Sequence, residues 1–211
     1  MRQLPLPLAG ASPGRIVVGK ANAQVIDAFA HPEAWPFRTA VLGGPPRCGK
    51  SLLARWFVQS GQGEAIDDAD TMDETELFHR WNRAQESGTP LLIVSNGGRR
   101  EGGQEPGEGG WQVALPDLAS RLGGSLHLAV GEPDEAMMAD LIALHAELRG
   151  FTLGEDAAAY LVPRAERSHV GVERLVAAID RISLERKVAP TLAVWREALE
   201  EVHGTSQPRL F

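Results

Sequence analysis

Apolar residues fall into two patterns along the chain. Short unbroken runs occur at Thr39-Ala40-Val41-Leu42, Pro90-Leu91-Leu92-Ile93-Val94 and Leu126-His127-Leu128-Ala129-Val130. Runs of that length predict strands buried in a parallel sheet. Between the first two, Leu52, Leu53, Trp56 and Phe57 have helical spacing over 50–58, and Ala65-Ile66 is a further short apolar step. Helices are also predicted over 25–29 and 74–85. After Val130 only helical spacing remains, at 134–148, 155–165, 171–185 and 192–202. Strands alternating with helices, followed by helices alone, predict an α/β core with a small all-helical domain behind it. The expected division is an extended tail over 1–12, a core over 13–131, a helical lid over 132–203 and a second tail over 204–211. Residues 97–110 consist largely of glycine and charged residues, and are expected to form a mobile loop.

The first strand runs into Gly44-Pro45-Pro46-Arg47-Cys48-Gly49-Lys50-Ser51, followed by Leu52. This satisfies G-x-x-x-x-G-K-[ST] in the required setting, after a strand and at the opening of a helix. Backbone amides around Cys48 to Ser51 can converge on phosphate oxygens, assisted by the helix N-terminus. Lys50 is expected to neutralise the β- and γ-phosphates, and the Ser51 hydroxyl to ligate Mg²⁺. Pro45 and Pro46 remove amide donors only on the incoming side of the loop. Asp67 and Asp68 follow Ala65-Ile66, where a Walker B pair belongs. Asp67 would hold Mg²⁺ through water, and Asp68 would orient the attacking water. Asn96, just past the 90–94 strand, is placed to sense the γ-phosphate or position water.

The distance from Leu42 to Ala65 leaves room for one helical crossover. A further strand with its own helix would not fit, since each βαβ unit takes roughly 30 residues. The sheet is therefore expected to lack one strand of a full P-loop NTPase, a tolerable loss at an edge.

Composition narrows the partners. Hydrophobic residues make up 43% of the 211 and charged residues 23%, as in an ordinary globular chain. The net charge of −7 argues against the broad positive field that drives sequence-independent DNA binding. One cysteine, Cys48, permits neither an internal disulfide nor a multi-cysteine metal cage, which fits a reducing cytoplasm. The leading Leu4-Pro5-Leu6-Pro7-Leu8 is too short and too broken by proline for a signal peptide, and no apolar run would span a bilayer.

Together these residues resemble the AAA+ branch of P-loop ATPases, and within it the DnaA-related family of Hda regulators. Val17-Val18-Gly19-Lys20-Ala21-Asn22 looks like the segment that wraps adenine in that family, with Val18, Gly19 and Asn22 as its contacts. Glu76-Leu77-Phe78-His79-Arg80-Trp81-Asn82 resembles the helix after Walker B. Leu115-Pro116-Asp117-Leu118-Ala119-Ser120-Arg121-Leu122 resembles the box with the arginine finger, and Glu147-Leu148-Arg149-Gly150-Phe151 a stretch of the lid. The resemblance implies that Arg121 acts in trans, on the nucleotide of a neighbouring subunit. It also implies a bound adenine nucleotide, ADP or ATP with Mg²⁺, that sets the assembly state, a homodimer included, with ADP as the active ligand. Where the family has its sensor 2 arginine this chain has Gly171. Arg174 or Arg167, about one helical turn away, are the nearest substitutes.

The same resemblance reads Gln3-Leu4-Pro5-Leu6-Pro7-Leu8 as a peptide for the sliding clamp of DNA polymerase III, with Gln3, Leu4, Leu6 and Leu8 as anchors. Gln207-Pro208-Arg209-Leu210-Phe211 repeats the Q-x-x-L-F pattern, with Gln207, Leu210 and Phe211 in the equivalent places. The implied activity is regulatory: with the DNA-loaded clamp, such a protein stimulates hydrolysis of DnaA-bound ATP and so restrains replication initiation. Its own hydrolysis is expected to be weak. The alternatives are an AAA+ motor or loader acting in replication and, further off, a small-molecule P-loop kinase.

Overall fold

The computed structural model describes residues 15–96 and 111–205, together with the backbone of Gln3 and Leu4. Gln3–Leu4 (β1) and Ile16–Val17 (β2) form a two-stranded sheet. The chain divides into two compact units. One contains Ala21–Gly131, and the other contains Val17–Lys20 with everything from Glu132 onward.

The first unit is built on a parallel four-stranded sheet of Thr39–Gly43 (β3), Glu64–Ile66 (β4), Leu91–Val94 (β5) and Leu126–Ala129 (β6), in the order β4-β5-β3-β6. The two central strands are the two unbroken apolar runs. All of Leu91–Val94 is buried, as are the first four residues of β3, because strands covered on both faces have no side on which to place polar groups. β6 departs from the expectation of a buried strand. Its residues alternate between half-buried and exposed, with His127 and Ala129 facing out, because it lies at the sheet edge. β4, the strand before the acidic pair, is the opposite edge, and Lys50–Gln59 (α2) is the one α-helix between β3 and β4. The chain thus makes the single crossover between β3 and β4 that the 42–65 spacing predicts, and the sheet has four strands.

Ala23–Phe29 (α1) and α2 contribute an aromatic cluster, in which Phe29 and Phe57 lie 5.0 Å apart and Trp35 stacks on Phe57 at 5.3 Å. The remaining apolar side chains of the unit gather under Glu74–Ser87 (α3) and Pro116–Gly123 (α4). There Val41, Ile66, Leu91 and Ile93 meet Leu77, Trp81, Ala84, Leu118 and Leu122. Helix α3 starts where Asp73 accepts hydrogen bonds from the amides of Thr75 and Glu76, both at 3.0 Å, and stops at Gly88 with φ +70.

The second unit packs Glu135–Leu148 (α5), Glu155–Leu161 (α6), His169–Arg186 (α7) and Leu192–Thr205 (α8) around the nearly all-buried stripe of α7 from Val172 to Ile182. The helix predicted over 155–165 ends its α-helical part at Leu161. Pro163 cannot donate the next bond, and the chain continues as a single 3₁₀ turn. Across the α7–α8 contact Arg186 pairs with Glu197 at 2.5 Å and Arg181 with Glu201, and Arg181 also pairs with Glu185 one turn along α7.

Candidate nucleotide site and the arginine cleft

Parallel register brings the sequence-predicted groups of the core to one end of the sheet. Leu42 is level with Val94 and Ile66 with Ile93, so the residues leaving β3, β4 and β5 emerge side by side. In open α/β sheets the carboxyl ends of the strands are where ligands bind.

Leaving β3, Gly44 takes φ +148, Arg47 φ +59 and Gly49 φ +93. A Cβ on Gly44 would lie 2.9 Å from the Val130 carbonyl and 3.1 Å from Cys48 Sγ, so only glycine fits there. Left-handed turns of this kind direct successive amides to one side, the geometry of an anion nest. Gly49 then caps α2 with no side chain on its amides and no acidic residue in the first turn. The opening amides of a helix have no partner within it and carry the positive end of its dipole. Lys50 is only 4% exposed, and its Nζ donates to the carbonyls of Gly44 at 3.0 Å and Pro45 at 2.9 Å. The loop's own backbone therefore holds the ammonium beneath it. Pro45, Pro46 and Arg47 form the outer part of the loop, Leu52 is half-buried and Ser51 exposed. Cys48 is buried among the loop's residues, and that burial pushes its thiol up.

Asp67 and Asp68 are exposed at the end of β4. Asp68 adopts φ +50, steadied by its own amide donating to Asp67 Oδ1 at 3.1 Å and by Thr71 Oγ1 donating to its carbonyl at 2.8 Å. Asn96 Nδ2 donates to Asp68 Oδ1 at 2.5 Å. This joins two residues that sequence placed separately. Asp70 was not singled out from sequence, yet both its carboxylate oxygens accept from the Asn96 amide at 3.2 Å and fix the residue that reaches Asp68. The only signal was a third acid in Asp67-Asp68-Ala69-Asp70. Phosphate loop, acidic pair and polar sensor form the donor set that suits a nucleotide with Mg²⁺. Ser51 directly, and Asp67 through water, are the residues that would hold Mg²⁺, which would offset the charge of the phosphates.

Arg121 stands apart from that set. It lies in the last turn of α4, half-buried, its guanidinium 4.4 Å from the Trp81 ring centre and 5.4 Å from that of Phe78. Its Nε is buried without a hydrogen-bond partner. The open cleft beside it, about 640 Å³, is lined by His79, Trp81, Asn82, Arg83, Gln85, Glu86 and Arg121, and by no residue of the phosphate loop. At the other end of α4, the Glu74 carboxylate accepts from the amides of Ala114 at 2.8 Å and Leu115 at 2.6 Å, tying the start of the helix to α3.

The remaining candidates are divided between the two units. Val18 and Gly19 belong to the helical unit, where a Cβ on Gly19 would touch Met137 at 3.0 Å, whereas Asn22 is a buried core residue opening α1. Gly171 has a local cause. A Cβ there would meet Glu166 Cβ at 2.7 Å and the Glu166 carbonyl at 2.8 Å, and Ser168 Oγ caps α7 by accepting from the Gly171 amide at 2.9 Å. The turn closes too tightly for an arginine. Of the proposed substitutes, Arg167 is paired with Glu135 at 3.0 Å and Arg174 is exposed on α7. The clamp-peptide residues Leu6, Leu8, Gln207, Leu210 and Phe211 lie outside the described residues, as does the loop expected over 97–110. Of Gln3 and Leu4, the backbone is in β1. No described helix is long and apolar enough to cross a membrane.

No protein-family profile matches the chain. Among solved structures it is similar to domain III of the replication initiation protein DnaA of Thermotoga maritima. The identity is 16%, with 89% of this chain and 94% of that one covered at a TM-score of 0.67. It is also similar to AMPPCP-bound DnaA from Aquifex aeolicus, at 13% identity over 87% of this chain and 77% of that one, TM-score 0.54. The Thermotoga maritima Holliday junction branch migration motor RuvB matches at 15% identity over 87% and 70%, TM-score 0.59. The fold is the AAA+ fold of DnaA and RuvB.

Proposed function

We propose that the chain is a nucleotide-bound regulator of replication initiation of the Hda kind, which stimulates hydrolysis of ATP held by DnaA when both meet at the DNA-loaded sliding clamp. The phosphate loop would bind ADP or ATP, with Lys50 turning from its carbonyls to the phosphates and Ser51 and Asp67 serving the Mg²⁺. That ion, when bound, would offset charge on the phosphate oxygens. The chain's own nucleotide is structural in this reading, and the reaction occurs on the partner.

The setting of Arg121 carries the reading. Arg121 lines an open cleft to which no residue of the phosphate loop contributes. A guanidinium supplied to another subunit's γ-phosphate stabilises transition-state charge without any covalent chemistry of its own. Gln3, Leu4, Leu6 and Leu8 would bring the chain to the clamp, with Gln207, Leu210 and Phe211 as a second contact. The test is single-turnover hydrolysis of DnaA-bound ATP with loaded clamp, comparing no addition, the wild-type chain and Arg121→Ala. Stimulation by wild type alone supports the reading, and equal stimulation by both excludes Arg121 as the finger.

The second reading, an AAA+ motor or loader, is favoured by the Asp68–Asn96 pair, which keeps the parts needed for self-hydrolysis together. Rapid ATP turnover by the isolated chain, abolished by Asp68→Asn, would support it against the first.

A further inference from the structure

Helix α3 does more than cover the sheet, because Trp81 on its buried face, with Phe78, carries the guanidinium of Arg121. Trp81 is 3% exposed and anchored in the core cluster, so its ring cannot move aside. The Arg121 guanidinium sits 4.4 Å from that ring and is bounded by Phe78 at 5.4 Å. An arginine side chain is long and flexible, and stays where it is needed only if something holds it. No described carboxylate pairs with Arg121, and its Nε has no hydrogen-bond partner. Attraction between the cation and two electron-rich ring faces, the nearer being that of Trp81, is the interaction left to hold it. This mode of holding suits a group that must meet an incoming anion. A carboxylate partner would neutralise the guanidinium, whereas a ring face orients it and leaves its full charge and its N–H donors in the cleft.

We infer that Trp81 is the positioning residue of Arg121, fixing the guanidinium through its ring face for delivery to a phosphate on another chain. The inference rests on the reading of Arg121 as a finger acting in trans. It assigns Trp81 a role in the partner's reaction and none in the chain's own nucleotide binding.

The test must separate the ring's electrons from its bulk, since removing a core indole also removes packing. Site-specific replacement of Trp81 by tryptophans bearing one to four fluorines does this, because fluorine withdraws density from the ring face while changing its shape little. Each variant is assayed for stimulation of DnaA-bound ATP hydrolysis at saturating concentration with loaded clamp, alongside its half-saturating concentration, ADP affinity and Tm. Trp81→Phe and Trp81→Leu serve as the variants with and without a π face. The maximal rate should fall stepwise with fluorine number, by roughly three- to fivefold across the series, given the strength of a partly exposed cation–π contact. Half-saturation, ADP affinity and Tm should stay level, and Phe should recover activity that Leu loses. A flat series, with Arg121→Ala inactive beside it, overturns the role of Trp81 and leaves the finger standing. Equal activity of Arg121→Ala and wild type overturns the finger itself, and Trp81's role with it. An absence of stimulation by wild type does the same.

Discussion

Lys50 and Gly171 show how single positions are decided by neighbours a residue-type reading cannot weigh. Lys50 is a buried cation satisfied by two carbonyls of its own loop, so removing it leaves acceptors at a solvent-facing turn and no orphaned charge in a core. Lys50→Ala should therefore keep the fold, with Tm within a few degrees, and weaken ADP binding by about tenfold or more through loss of a charge-assisted contact. Isothermal titration with ADP checks it, and unchanged affinity removes Lys50 from the site. At Gly171 the opposite holds. Gly171→Ala places a Cβ within 2.8 Å of the Glu166 backbone and disturbs the Ser168 cap, so it should destabilise the chain by about 1–3 kcal/mol in denaturant titration. A neutral result would mean that the turn before α7 opens freely, and that its tightness does not account for the missing arginine.

At the scale of elements, the central strands were legible because β3 and β5 are unbroken apolar runs, and the 42–65 spacing limited the chain to one crossover. The phosphate loop was legible because its glycines serve backbone angles that no other residue takes. Local sequence could not give α4 as a helix. Leu115-Pro116 opens it without a side-chain cap, and its start is held by Glu74, about 40 residues earlier in the chain. The Asp70–Asn96 and Arg121–Trp81 contacts are likewise long-range, and only the assembled sheet brings them together. Glu74 marks how α3 governs α4. Glu74→Ala frees two amides at the start of the helix bearing Arg121, so hydrogen exchange at Ala114 and Leu115 should accelerate by about tenfold, while α2 keeps its protection. Glu74→Gln retains one acceptor oxygen and should fall between. Unaltered exchange in Glu74→Ala would show that packing of Leu118 and Leu122 alone holds α4 in place.

The molecule as a whole combines the AAA+ fold, with a glycine-rich loop at the carboxyl ends of its strands, a helical unit with Gly171 near the start of α7, and a net charge of −7. Under the proposed function these belong to a nucleotide-dependent protein that engages other proteins. The proposed function requires Arg121 to work on another chain's nucleotide. Hydrolysis of ATP pre-bound to DnaA, followed in single turnover with DNA-loaded clamp and either wild-type chain or Arg121→Ala, tests this most directly. Wild type should raise the rate by about two orders of magnitude or more, as an arginine supplied in trans does in comparable phosphoryl transfer, and Arg121→Ala should leave it at the unstimulated level with ADP affinity unchanged. Equal rates with wild type and Arg121→Ala would contradict the claim.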